Sequence, residues 1–206
     1  MKRALVLAAV GAGLLAAVPA TASADTGPVV LTVAYDVSGT STVAKTNSTI
    51  DLGPATLTTG LDAQGNFTGT LPLPPTTTSF KALGLLPTTA TVSFVPAGPV
   101  TGALSAHPNV MITSTATYYL RLSDVTVAGL PALVGDHCQT KDPVTIPANT
   151  PDGQTFNITT GGTVTGTYTI GAFDHCGLTT PLINLLVPGS GNTVTLQLSN
   201  GRVVTS

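Results

Sequence analysis

The chain has 206 residues, of which 42% are hydrophobic, 8% charged and 4% aromatic, and its net charge is −2. Seven Lys and Arg in all form no basic patch, so nucleic acid is a poor partner. All nine acids are Asp, which excludes a His-Glu-x-x-His metalloprotease helix, and the absence of Trp weakens carbohydrate binding by ring stacking.

The first 24 residues read as a secretory signal peptide. Lys2 and Arg3 form a positive start, an apolar run extends from Ala4 to about Pro19, and Ala22-Ser23-Ala24 supplies the small residues of a cut after Ala24. The run is short for a bilayer span and no Arg-Arg pair is present, so Sec-type export with cleavage is expected, leaving no transmembrane segment. The mature chain, residues 25–206, is then a secreted protein of 182 residues, enough for one good core. One β-sandwich domain is expected, with two small β subdomains over 25–104 and 105–206 as the alternative.

Thr and Val are abundant, Glu, Lys and Arg are scarce or absent, and 22 Gly with 16 Pro punctuate the chain. That composition favours short strands and tight turns. Val29 to Val37 is the first strand, and Ser38-Gly39-Thr40 is expected to turn. Ser41 to Asp51 reads as a polar edge strand, with Ile50 and Leu52 facing in. Ala55 to Leu61 and Asn66 to Leu73 form a hairpin across Asp62-Ala63-Gln64-Gly65, where Asp and Gly suit a turn. The prolines of residues 72–78 make a surface connection. Phe80 to Leu86 is apolar and reads as a helical turn or a covering loop. Thr89 to Val95 is a strand broken by Pro96-Ala97-Gly98-Pro99 and resumed at Val100 to Leu104.

Asn109 to Ser123 alternates with period two, Val110, Ile112, Ala116, Tyr118, Leu120 and Leu122 falling on one face, and continues past a bulge to Val127. Pro143 to Pro147 follows, then a turn over 150–153, a strand over Gln154 to Thr159, and another over Thr163 to Ile170. Leu182 to Val187 is the most apolar stretch of the mature chain and reads as a buried helical turn. Gly189 to Asn192 is expected to turn, and Val194, Leu196 and Leu198 form the last strand. The fold class is therefore all-β, an antiparallel β-sandwich with one disulfide.

The two cysteines, Cys138 and Cys176, lie 38 positions apart inside a repeated Asp-His-Cys. An even, minimal count in an exported chain points to one intramolecular bond. The repeat also offers Asp136, His137, Asp174 and His175 as a low-ranked metal set. The adjacent spacing of His and Cys is unlike the wider spacing of zinc motifs, so no metal and no cofactor is expected. His107, beside Pro108, reads as a solvated loop residue. Asp36, Asp51, Asp62 and Asp152 sit where Asp serves turns.

The Ala-rich leader, Tyr35-Asp36-Val37-Ser38-Gly39, Leu71-Pro72-Leu73-Pro74-Pro75, and the stretch from Cys176-Gly177-Leu178 to Pro188-Gly189-Ser190-Gly191-Asn192 resemble small secreted proteins of high-GC actinobacteria. The resemblance implies export and a β fold, and it names no active residue. Nothing in the sequence carries a catalytic set, so the leading expectation is a non-enzymatic structural or adhesive module at or outside the cell envelope. Its partner would be an envelope or extracellular protein that pairs with a Thr-faced strand. The alternative is a β domain that binds a small hydrophobic ligand or lipid, with Phe80 to Leu86 and Leu182 to Val187 lining a pocket. A hydrolase built on Asp and His of the two tripeptides ranks third.

Overall fold

The computed structural model describes residues 28–106 and 109–204; the leader and His107 lie outside them. In chain order the strands are β1 (Val29–Val43), β2 (Ser48–Asp62), β3 (Asn66–Thr70), β4 (Thr76–Ala82), β5 (Leu86–Pro96), β6 (Val100–Ser105) and β7 (Met111–Val127). There follow β8 (Leu130–Pro131), β9 (Gln139–Thr140), β10 (Val144–Pro147), β11 (Gly161–Ile170), β12 (Phe173–Asp174), a 3-10 turn (Gly177–Thr179), α1 (Thr180–Leu186) and β13 (Gly189–Val203). All the pairings are antiparallel, and the chain is an all-β protein. No helix among the described residues is long and apolar enough to cross a membrane.

Eight strands close into a ring at one end of the molecule. β1 pairs with β2, β2 with β3, β3 with β6, and β6 with the first third of β7. The opposite edge of β7 takes β10, and Asn149 just beyond it exchanges two 2.8 Å backbone hydrogen bonds with Thr165 of β11. β11 returns to β1 through β13. Closure satisfies the backbone donors and acceptors that an open edge would expose. The other end stays open. There β5 and β4 extend the sheet from the second half of β7, and β4 meets β2 without a backbone ladder, through the Thr78 hydroxyl donating to Thr49 O at 2.9 Å. The short β9–β12 pair and α1 lie on the far side of the opening. β6 lies between two partners, pairing with β3 through Val100 to Ala103 and with β7 through Thr101 to Ser105.

Several expected elements stand with their register. The Asp62–Gly65 hairpin forms because Asp62 Oδ1 accepts the backbone N–H groups of Gln64 and Asn66 and Oδ2 accepts Asn66 Nδ2, while Gly65 takes φ +90°. β7 bulges at Asp124 (φ +48°), where its pairing with β5 slips by one residue. Val125 therefore takes over the buried face after Leu122.

Other expectations are corrected. Ser38-Gly39-Thr40 does not turn: β1 runs straight through to Val43, and Gly39 is there because a Cβ would overlap the carbonyl oxygen of Thr195 on β13. The turn comes at residues 44–47. Gly189 to Asn192 likewise begins β13 instead of turning. Gln154 to Thr159 is no strand; Asn157 Oδ1 accepts the N–H groups of Thr159 and Thr160, and this local competition diverts the backbone from a ladder. Phe80 to Leu86 is neither helix nor loop but the tip of the β4–β5 hairpin. α1 is helical as expected, yet only Ile183 of it is buried. Asp36 serves no turn; it sits within β1 and pairs with Arg202 Nη1 at 2.7 Å.

Candidate functional site

The interior is divided into two apolar compartments by a layer of committed polar groups. Tyr118 donates its hydroxyl to Leu71 O (2.8 Å), and the Tyr168 and Ser41 hydroxyls share a 2.6 Å hydrogen bond. Fully buried Asn192 accepts from Ala44 N (3.0 Å) and donates to Tyr168 O (3.1 Å) and Gly189 O (2.8 Å). Burial pushes the Tyr118 phenol up to about 12 and raises those of Tyr168 and Tyr35. On the ring side of this layer lies a cavity of about 80 Å³ walled by inward residues of the ring, among them Val33, Leu57, Phe67, Val100, Ile112 and Leu196. Its polar groups are occupied: Tyr35 OH donates to Ile158 O, Thr59 to Val33 O, and Ser114 to Ala148 O.

The second cavity, about 100 Å³, lies at the open end. Its walls are β2 (Ile50), β4 (Phe80, Ala82), β5 (Ala90, Val92), β7 (Leu120, Leu122), β12 (Phe173) and α1 (Ile183, Leu186). α1 is held there by Asn184, whose side chain accepts from Phe173 N (2.7 Å) and donates to Phe173 O (2.9 Å). The hydroxyls on its lining are turned away. Thr46 bonds Ser48, Thr78 donates to Thr49 O, Thr88 to Leu86 O and Thr179 to Cys176 O. Such a lining offers dispersion and desolvation and no hydrogen bond, so its chemistry suits hydrocarbon. In size it approaches an engineered cavity of about 150 Å³ that holds benzene. A short alkyl end or one ring would fit, and any polar remainder of the molecule would stay at the mouth.

The disulfide stands beside this cavity. Cys138 and Cys176 are bonded and completely buried, with β9 and β12 paired next to them through Phe173–Thr140 and Asp174–Gln139. The bond brings the two Asp-His-Cys tripeptides together as their spacing allowed. Their other side chains do not converge: Asp136, His137, Asp174 and His175 are exposed, and His175 Nδ1 approaches only its neighbour Asp174, at 3.8 Å. No group of three metal-ligating side chains forms among the described residues. None of the four residues lines either cavity.

Sequence reasoning named Phe80 to Leu86 and Leu182 to Val187 as pocket walls, but it missed the third segment, residues 130–134. Its apolar run Leu130-Pro131-Ala132-Leu133-Val134 was the available signal. No family model, curated protein or solved structure matches the chain.

Proposed function

We propose that this is an exported β domain that binds a hydrophobic ligand, holding an alkyl or ring end of it in the cavity at the open end. What carries the reading is that two apolar segments distant in sequence, the β4–β5 hairpin and α1, wall one cavity that has no free hydrogen-bonding group. A core built only for stability would be filled, because unfilled volume of this kind costs contacts. The structural or adhesive reading ranks second. Its strand-pairing route has few places to act, since Thr-faced β7 is paired along both edges and β11 is engaged by β13 and Asn149. Against a hydrolase on His137 or His175, both imidazoles are exposed and neither lines either of the two cavities. Export by the Sec route fits the disulfide, which persists in oxidising compartments.

Titration of the secreted protein with undecanoic acid labelled at its polar end with dansyl tests the reading. Blue-shifted, saturable fluorescence displaced by unlabelled dodecanoic acid is the expected result. Ala90→Leu places three more carbons on the cavity wall at a buried position and is expected to weaken binding at least tenfold while leaving a cooperative thermal transition. Absence of displaceable binding, or equal affinity in the Ala90→Leu variant, would refute it.

A further inference from the structure

The mouth of the second cavity is crowned by leucines that the fold leaves in water. Leu178 is 99% exposed, Leu133 83%, Leu85 82% and Leu130 72%, and Leu83 and Leu185 are more than half exposed. Together these six amount to between four and five fully exposed leucine side chains, roughly the several hundred Å² that marks an interaction site. They come from three segments that adjoin one another around the opening. Leu83 and Leu86 line the cavity, as do Ala132 and Val134 on either side of Leu133, and Thr179 and Leu182 after Leu178. The β7–β8 turn is tied to the hairpin by Ala128 N donating to Pro87 O at 2.8 Å. Gly177 lies against Leu133 O, and so joins the second segment to the third.

Two of the tips are built against local preference. Leu83-Gly84 (φ +53°, +75°) and Ala128-Gly129 (φ +51°, +80°) occupy consecutive positive-φ turn positions, where Asn-Gly or Asp-Gly is favoured. A leucine there is strained by its Cβ and is also 63% exposed, so it serves neither the turn nor the core.

We infer that this leucine crown is a docking face for the surface of an uncharged lipid bilayer, with the turn tips inserted at the headgroup boundary. The charge pattern favours lipid: residues 80–87, 128–142 and 173–187 contain two Lys, three Asp and no Arg. There is no cationic collar for anionic headgroups or phosphate. Protein hot spots favour Trp, Tyr and Arg over Leu, and these segments contain none of those three. The described residues begin and end away from the face. Val29 pairs with Asp62, and Val204 N donates to Thr32 O, both at the ring end, a full length of β1 away. The inference names the source that fills the cavity and to that extent rests on the proposed ligand reading; docking itself rests on the crown.

Flotation with phosphatidylcholine vesicles, and in parallel with anionic phosphatidylglycerol vesicles, at 0.05 and 0.5 M NaCl tests it, using the secreted protein and two variants. Leu85→Asn/Leu133→Asn/Leu178→Asn changes three crown residues that do not line the cavity. Val30→Asn/Val203→Asn changes exposed apolar residues at the ring end. Expected are salt-insensitive flotation of the wild type, at least a tenfold lower bound fraction for the crown variant, and no change for the ring-end variant. The crown variant should still bind the dansyl fatty acid from solution. Wild type left in the dense fraction, equal loss in both variants, or binding only to anionic vesicles at low salt would overturn docking. So would a dimer in analytical ultracentrifugation that the crown variant abolishes, which would make a second copy the occupant. Flotation without displaceable fatty-acid binding would instead leave docking standing and remove the ligand reading.

Discussion

Replacing both cysteines by alanine separates the contribution of the staple from that of the sheet around it. The bond spans 38 positions, and in the chain-entropy model a loop of that size removes about 4 kcal/mol of freedom from the unfolded chain. Both sulfurs are fully buried, so the Cys138→Ala/Cys176→Ala variant also loses packing worth on the order of 1 kcal/mol. With a urea m-value of about 2 kcal/mol/M for a domain this size, the combined loss of about 5 kcal/mol should lower the unfolding midpoint by roughly 2.5 M. Equilibrium urea unfolding followed by far-UV circular dichroism measures this, with the wild type in reductant as a second comparison. The ring is closed by strands outside residues 138–176 as well as within them, so the variant should still unfold cooperatively. Hydrogen exchange should rise first in α1 and residues 130–135, which the bond ties together. A midpoint shift under about 0.5 M at unchanged m would refute the reasoning, because the bond would then be restraining a chain already restrained by other means.

Two further outcomes follow from the polar layer between the cavities. The Tyr118 phenol is raised in the folded state, so its contribution is fully present below the unfolded value of about 10 and is lost as pH rises toward about 12. Stability should fall by about 2–3 kcal/mol across that window, and Tyr118→Phe should flatten the loss while costing about 1 kcal/mol near neutrality for the hydrogen bond to Leu71 O. A pH series of urea midpoints checks both, and an unchanged alkaline slope would count against the assignment. Asn192→Ala removes one acceptor and two donors from a fully buried site and leaves Ala44 N, Tyr168 O and Gly189 O to find other partners. The expected loss is about 3 kcal/mol, read as a lower thermal midpoint; a change under 1 kcal/mol would mean that water replaces the side chain without penalty.

Local chemistry made part of this protein legible in its sequence. Period-two alternation from Val110 to Leu122 has a single physical cause, one buried face of a strand, and β7 follows it to the bulge at Asp124. Asp62 and Gly65 specify their hairpin with their own atoms. Two cysteines in a chain expected to be exported leave one pairing. Tertiary structure alone decided the rest. Glycine signals both a turn and a close approach of two backbones, and only the presence of Thr195 beside Gly39 shows which of the two holds. Apolar runs were visible, but hydropathy does not say whether a leucine faces a core, a cavity or water. In the seven residues of α1, Ile183 is buried while Leu182 and Leu185 are exposed, because one short helix can turn only one side inward. The ring itself depends on Asn149 meeting Thr165, and the cavity on α1 meeting the β4–β5 hairpin. Such long-range contacts leave no periodic mark in the chain, since their energy is released only when distant segments have already been brought together.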